Sequence, residues 1–275
     1  MRINSIQTNM NFTGKPMVIG NMKMNKSPKE TSELINRSAF EMLDLPTHND
    51  IYVGFAPTAL AFCKVKEGRN YVDMANIKLG GQEADLGIEK GGAVTGAISQ
   101  DMYKEAGADF VIIGHSERRG KFAETDKQVN AKTLSALEKG LMPVVCVGES
   151  LKQREAGDAD DVVSTQVIKA LKNIKEEDIT KVVIAYEPIW AINTGKTCDA
   201  DEADRMCRMI RNEIAKIYGE QNAADVSILY GGSVNDSNAD KLFAQSNIDG
   251  GLVGGACLDA EKFSKIVHSL VNQKS

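Results

Sequence analysis

The sequence lacks the features that would place it in a membrane, on nucleic acid or in a secretory route. No apolar run reaches the roughly 18 residues that a membrane span requires. There is no dense cluster of lysine and arginine, and the net charge of −5 is mild, so a nucleic-acid-binding surface is not indicated. Residues 1–16 are polar and lack the apolar core of a secretory signal. We therefore expect a cytoplasmic protein with a short extension at residues 1–16, binding neither nucleic acid nor membranes.

Cysteine and histidine are also scarce. The five cysteines are an odd number and contain no CxxC pair, and only three histidines accompany them. This spacing argues against a disulfide framework and against a zinc site. We expect buried free thiols in a reducing compartment.

What the sequence does contain is an alternation of short apolar runs with amphipathic segments. Hydrophobic residues make up 42% of the 275 residues, which is enough for a full core. The apolar runs are residues 17–20, 51–55, 77–80, 110–113, 144–147, 182–185, 226–230 and 248–253. Between them lie helical stripes, of which one comprises Ala203, Met206, Cys207, Ile210, Ile214 and Ile217.

Continuous apolar strands joined by helical crossovers indicate a parallel sheet that is buried on both faces. Eight such units in roughly 250 residues match the size of a (β/α)8 barrel, whereas a doubly wound sheet more often has fewer strands. We predict one barrel over residues 17–275, with eight parallel strands inside and helices outside. Barrels of this kind place the active site at the carboxyl ends of their strands.

Polar residues follow several of the predicted strands and would converge there. They are Asn21, Lys23, Gln82, His115, Glu149, Glu187 and residues 231–233 and 254–255. Glu187 is the most informative, because Pro188 stops the strand directly after it and a loop with Trp190 and a small, flexible tip follows. This pattern is typical of a general base beside a closing lid, although a plain surface connection has a similar composition.

Six segments, taken in order, resemble the triosephosphate isomerases. They are residues 20–25, 113–119, 143–149, 185–197, 229–234 and 251–255. The resemblance runs from about Pro16 to the carboxyl terminus, and six ordered motifs are far more specific than any one of them. It implies a TIM barrel that interconverts dihydroxyacetone phosphate and D-glyceraldehyde 3-phosphate through an enediol, with no metal or organic cofactor.

The resemblance also implies a role for each matched side chain. Glu187 would move the carbon-bound proton, and His115, a neutral imidazole at a helix start, would serve the two substrate oxygens. Lys23 would balance the enediolate and phosphate charges, with Asn21 positioning lysine and substrate. Glu117 would help to keep Lys23 charged.

Phosphate binding and lid closure are implied in the same way. Backbone N–H groups at Asn193, Ser233, Gly254 and Gly255 would bind the phosphate. The lid would comprise Pro188, Trp190, Gly195, Lys196 and Thr197. Tyr230 and Ser233 would latch the lid when it closes.

The resemblance further implies a homodimer in which Thr95 enters a pocket of the partner. The family usually has a glutamate where this chain has Ala97, and that glutamate pairs across the dimer with the arginine matched by Arg118. The chain also has Glu83 in place of an asparagine and Met22 in place of a tryptophan. We therefore expect a weaker dimer than one with glutamate at position 97.

Two departures from the family pattern lie in or beside the lid, where Asn193 replaces a glycine and Cys198 replaces a common alanine.

Two other functions stay open. One is a paralogous isomerase of a four-carbon ketose phosphate, against which the intact residues 194–197 argue. The other is a sugar-phosphate-binding barrel without turnover, against which the presence of Lys23, His115 and Glu187 argues.

Overall fold

The structure is a computed structural model that describes residues 14–45, 51–68, 70–85, 92–192 and 198–274. Eight parallel strands close into a barrel in chain order, and the first strand pairs with the last. The predicted (β/α)8 architecture is therefore confirmed. The strands are β1 Met17–Asn21, β2 Tyr52–Ala56, β3 Lys78–Gly81, β4 Phe110–Ile113, β5 Met142–Val147, β6 Val183–Tyr186, β7 Ser227–Tyr230 and β8 Gly250–Val253.

The strands are mainly apolar because both of their faces are buried. Alternate residues point to two different cores, as Val18 and Ile19 of β1 illustrate. Ile19 packs inside the barrel with residues such as Phe110 and Leu229, and Val18 packs outward into the larger core between sheet and helices. Burial of both faces removes apolar surface from water on each side of the sheet, which is the main force that holds the barrel closed.

Helices cover the outside of the barrel. They are α1 Pro28–Phe40, α2 Ala59–Glu67, α3 Asn70–Met74, α4 Gln100–Glu105, α5 Ser116–Phe122, α6 Asp126–Glu138, α7 Leu151–Glu155, α8 Ala159–Ala170, α9 Ala200–Tyr218, α10 Glu220–Asp225, α11 Ala239–Phe243 and α12 Ala260–Lys274. Short 3-10 helices span Glu176–Lys181, Ile189–Ala191 and Gly255–Leu258. No helix in these described ranges is long and apolar enough to cross a membrane.

Helix α9 begins where the side chain of Asp199 accepts a hydrogen bond from the Glu202 N–H at 2.8 Å. Its predicted stripe is buried from Ala203 to Ile214. Ile217 was wrongly placed on the buried face, since it lies in the last turn and is 46% exposed.

Strand β8 begins two residues later than the apolar run predicts. The Asp249 carboxylate accepts hydrogen bonds from Ile228 N–H and from Arg211, both within 2.8 Å. Its backbone N–H donates to the Ile228 carbonyl at 2.8 Å, and its carbonyl accepts from Met17 N–H at 3.0 Å. At Gly250, φ is 151°, and a Cβ there would lie 1.8 Å from the carbonyl oxygen of Met17. Only glycine allows β8 to approach β1 this closely.

The cysteines follow the expectation in part. Cys146, Cys198, Cys207 and Cys257 are buried and free, but Cys63 is exposed on α2. The prediction that all five thiols are buried was wrong at that position, because Cys63 lies on the solvent side of its helix.

Candidate active site

A cavity of about 360 Å³ lies at the carboxyl ends of the strands. Seven of the predicted site residues line it together: Asn21, Lys23, His115, Glu187, Ser233, Gly254 and Gly255. They come from the loops after β1, β4, β6, β7 and β8, so residues far apart in the chain meet at one face of the barrel, as the barrel geometry requires.

Lys23 has a left-handed backbone, with φ at 51°, which is uncommon for a residue with a side chain. Neighbouring side chains hold both of its backbone polar groups. Its N–H donates to Asn21 Oδ1 at 3.0 Å, and its carbonyl accepts a hydrogen bond from Gln82 Nε2 at 2.8 Å. The strained conformation is therefore fixed by its surroundings, as is common in functional sites.

The ammonium group of Lys23 is held by Glu117, with Nζ to Oε1 at 3.0 Å. Burial of Glu117 opposes its ionisation, but the hydrogen bond and charge of Lys23 outweigh burial and lower the pKa of the Glu117 carboxyl. Glu117 lies outside the residues that line the cavity, so it contacts Lys23 from behind. The stem of Lys23 passes close to Gly254, where a Cβ would be 3.6 Å from Lys23 Cε.

His115 follows β4 and caps the start of α5. Its Nδ1 accepts a hydrogen bond from the Glu117 N–H at 3.2 Å. An acceptor carries no proton, so the neutral ring has its hydrogen on Nε2, which lies in the cavity 2.9 Å from Glu187 Oε1. The histidine is only 6% exposed, and it presents a donor to whatever occupies the cavity.

Glu187 follows β6 and is 2% exposed. Its Oε2 accepts a hydrogen bond from the Ser116 N–H at 2.8 Å, and its Oε1 faces His115 Nε2. The first N–H groups of a helix have no partner within the helix, so the start of α5 supplies donors both to this carboxylate and to the imidazole. Both oxygens of the buried carboxylate thus have donors.

The position of the Glu187 backbone depends on Gly148. Gly148 lies in the loop after β5, and a Cβ at this position would lie 1.8 Å from the Glu187 carbonyl oxygen. Only glycine therefore fits at position 148. Gln166 of α8 holds Gly148 from the other side, accepting from its N–H at 2.8 Å and donating to its carbonyl at 3.1 Å.

The sequence model of one protein family, described as triosephosphate isomerase, matches residues 16–270. The chain belongs to the triosephosphate isomerase family. A triosephosphate isomerase from Caldanaerobacter subterraneus subsp. tengcongensis is 49% identical over 254 residues, covering 92% of this chain and 99% of the relative. Those from Thermoanaerobacter pseudethanolicus and Finegoldia magna are 47% and 44% identical, covering 92% of this chain and 99% and 98% of the relatives. The resemblance found in the sequence is confirmed.

In this member of the triosephosphate isomerase family, Trp190 is firmly anchored beside the site. Its Nε1 donates to Glu149 Oε1 at 2.6 Å, and the guanidinium of Arg154 lies over its ring at 4.6 Å. The Tyr186 hydroxyl donates to the same Glu149 oxygen at 3.2 Å. Pro188 precedes the 3-10 turn Ile189–Ala191 that carries the tryptophan.

Tyr230 ends β7 and is buried against Cys198. Their side chains are hydrogen-bonded, and burial raises the pKa of the tyrosine strongly and that of the Cys198 thiol to about 12. Both groups are therefore neutral near pH 7. The other lid positions predicted from the sequence, Asn193, Gly195, Lys196 and Thr197, lie outside the described residues.

Sequence reasoning missed three contributions to the site. Gln82 and Glu149 were recognised only as polar strand ends, yet Gln82 holds Lys23 and Glu149 holds Trp190. Lys262 of α12 lines the cavity, and no pattern at a strand end marks it. Within the described ranges, no cluster of His, Cys, Asp or Glu has the arrangement of a metal site.

Proposed function

We propose that Glu187, His115, Lys23 and Asn21 carry out the isomerisation of dihydroxyacetone phosphate to D-glyceraldehyde 3-phosphate in this cavity. That reaction is the activity of the family to which the chain belongs, and relatives at 41–49% identity share the name triosephosphate isomerase. The family assignment favours the three-carbon substrate over a four-carbon ketose phosphate and over a barrel without turnover.

One observation carries the assignment of roles. Glu187 Oε1 and His115 Nε2 approach within 2.9 Å of each other inside a cavity that also contains the ammonium of Lys23. A base and a neutral donor thus converge on one point beside a cation. A substrate bound between these two side chains would have the Glu187 carboxylate next to its reacting carbon and the His115 N–H next to its oxygen.

The chemistry then follows from the groups present. Glu187 takes a proton from the carbon next to the carbonyl and returns it to the neighbouring carbon. His115 donates its Nε2 proton to the developing oxyanion and receives the proton of the other oxygen, while Lys23 balances the negative charge. Asn21 fixes the lysine through its hydrogen bond to the Lys23 N–H, and Glu117 keeps the ammonium in place.

The phosphate occupies the far end of the cavity, where Ser233, Gly254 and Gly255 lie. Gly254 and Gly255 begin the 3-10 helix Gly255–Leu258, whose first N–H groups have no acceptor within the turn. The N–H of Asn193 supplies a further donor in this proposal.

A lid from Pro188 through Trp190 to Gly195, Lys196 and Thr197 closes over the bound substrate and excludes water. The tight contacts of Trp190 with Glu149 and Arg154 support a fixed hinge on this side of the lid. Tyr230 and Ser233 latch the closed loop.

The enzyme acts in the cytoplasm as a homodimer that forms through the loop around Thr95. Support comes from the surface near this loop, where Val94 is 50% exposed. Asp85 and Ile98 pin the base of the loop through two hydrogen bonds, from Asp85 N–H to Ile98 O at 2.8 Å and from Ile98 N–H to Asp85 Oδ2 at 2.9 Å. The fixed base presents Val94 and Thr95 to a partner.

A coupled assay of the purified protein, with dihydroxyacetone phosphate and erythrulose phosphates side by side, tests the activity. We expect turnover of the three-carbon substrate at least about tenfold above that of the four-carbon compounds. Faster turnover of an erythrulose phosphate would assign the site to the four-carbon substrate.

A further inference from the structure

Glu83, the residue that follows Gln82, does not line the cavity. Gln82 comes directly after β3, and its amide donates both to the Lys23 carbonyl at 2.8 Å and to the Ala56 carbonyl at 2.9 Å. The next residue, Glu83, turns away from the cavity and extends its carboxylate between two cations.

These charges form a linear chain of four side chains, which runs from Arg118 through Glu83 and Lys132 to Glu124. Glu83 Oε2 lies 3.2 Å from Arg118 Nε, a charge contact in which neither of these two atoms has a hydrogen-bond partner among the described residues, and Glu83 Oε1 contacts Lys132 Nζ. Lys132 contacts Glu124 as well. Cations and carboxylates alternate, and Lys132 and Glu124 are almost fully buried, so a charge removed here cannot be replaced by bulk water.

The cluster joins the two segments that hold Lys23. On one side, Gln82 binds the carbonyl of Lys23, and Glu83 is its neighbour in the chain. On the other side, Glu117 binds the ammonium of Lys23 at 3.0 Å, and Arg118 is its neighbour. The ion pair between Glu83 and Arg118 therefore ties the end of β3 to the start of α5, with Lys23 held between them.

We propose that Glu83 is a positioning residue for the isomerisation, fixing through Arg118 the distance between the two segments that hold Lys23. This inference rests on the proposed function, because it takes Lys23 as the cation that balances the negative charges of the bound substrate. Glu83 itself touches no substrate atom. It acts by keeping the left-handed backbone and the ammonium of Lys23 in one geometry.

The first test is Glu83→Gln, which keeps the shape of the side chain and removes its charge. Without that charge, Arg118 loses its contact with the Glu83 carboxylate while Lys132 keeps its contact with Glu124, so the tie between β3 and α5 is lost. We expect kcat/KM for dihydroxyacetone phosphate to fall about tenfold or more, with a higher KM as well as a lower kcat, because misplacing a binding group costs both. Glu83→Asp, which restores the charge on a shorter stem, should recover part of the loss.

A double-mutant cycle separates positioning from general damage to the fold. Binding of glycerol 3-phosphate, a substrate-shaped phosphate without a carbonyl, is measured by calorimetry in wild type, Glu83→Gln, Lys23→Met and the double variant. If Glu83 acts through Lys23, its substitution weakens binding in the wild-type background and has little further effect once Lys23 is methionine. Equal effects in both backgrounds would overturn the proposal.

A matched control lies at the other end of the barrel. Asp249 forms a buried ion pair with Arg211 at 2.7 Å, remote from the strand ends that form the cavity. Asp249→Asn removes the charge of that pair and should leave KM and kcat within about twofold of wild type, with thermal unfolding measured to show that the variant is folded. Such a result would show that losing a buried carboxylate does not by itself lower activity, and so does not explain the fall in kcat/KM of Glu83→Gln.

Arg118→Gln removes the other partner of the ion pair between Glu83 and Arg118. It provides a second test of the proposal if Glu83→Gln does not fold. It should raise KM and weaken glycerol 3-phosphate binding as Glu83→Gln does. Folded Glu83→Gln or Arg118→Gln with wild-type kcat/KM would overturn the inference while leaving the proposed function intact. A wild-type protein that does not isomerise triose phosphates would instead overturn the proposed function.

Discussion

Glu83 lies in an environment that disfavours the negative charge of its carboxylate. Burial raises the pKa of its carboxyl, and repulsion from Glu124 raises it further, while Lys132 and Arg118 offset only part of this. A carboxyl whose pKa is raised on folding stabilises the fold in its protonated form. That stabilisation is complete below the ordinary pKa of 4.5 and is lost as the pH rises through the raised value.

Glu83→Gln resembles the protonated carboxyl at every pH, which gives a prediction for stability. We expect wild type and variant to melt at similar temperatures near pH 4, and the variant to become relatively more stable as the pH rises toward 7. Tyr103, which Glu83 also faces, has its pKa raised by burial to about 12 and stays neutral throughout. Thermal unfolding of both proteins across this range is the measurement. A variant whose relative stability falls with rising pH would contradict the assignment.

At the scale of elements, the contact between Gly148 and the Glu187 backbone joins the ends of β5 and β6. The required approach leaves no space for a side chain, since a Cβ would meet the Glu187 carbonyl oxygen at 1.8 Å. Gly148→Ala should push Glu187 aside and lower kcat by about a hundredfold, because small misplacements of a catalytic group have effects of that order.

Gly120→Ala provides the control for that substitution. Gly120 lies in α5, and a Cβ there meets nothing within 4 Å. Alanine should stabilise the helix by about 0.5–1 kcal/mol and leave kcat unchanged. Kinetics and thermal unfolding of both variants decide the matter, and a Gly148→Ala enzyme with normal kcat would show that the loop yields without moving Glu187.

The strands and helices also show which features of the fold can be predicted from the sequence. The strands were predictable because each is a continuous apolar run, and barrel geometry then brings their polar ends together. The buried ion pair of Asp249 with Arg211 joins α9 to the start of β8, and the exposure of Ile217 depends on where α9 leaves the core. Contacts of this kind join residues that are distant in the chain, so no local pattern contains them.

The same limit applies to the charged residues around the site. The departure Glu83 was visible in the sequence, but its contact with Arg118 was not. Arg118, which in the family pairs with a glutamate of the partner, faces Glu83 of its own chain at 3.2 Å. Only packing of α5 against the end of β3 makes that pairing possible.

At the scale of the whole molecule, we expect association through the loop around Thr95. Val94→Asp places a charge on an exposed apolar residue of this loop and should shift the protein from dimer to monomer with lower kcat. Leu60→Asp is the control, because Leu60 is 87% exposed on α2, outside that loop. Sedimentation velocity at assay concentration measures both, and a fully active wild-type monomer would contradict the dimer.

The central claim is that Glu187 moves the proton, and its most direct test is the kcat of Glu187→Gln for dihydroxyacetone phosphate. The amide keeps the shape of the side chain and cannot act as a base, so we expect kcat to fall about a thousandfold with the melting temperature and the glycerol 3-phosphate affinity almost unchanged. Activity within about tenfold of wild type in the folded variant would remove Glu187 from the mechanism.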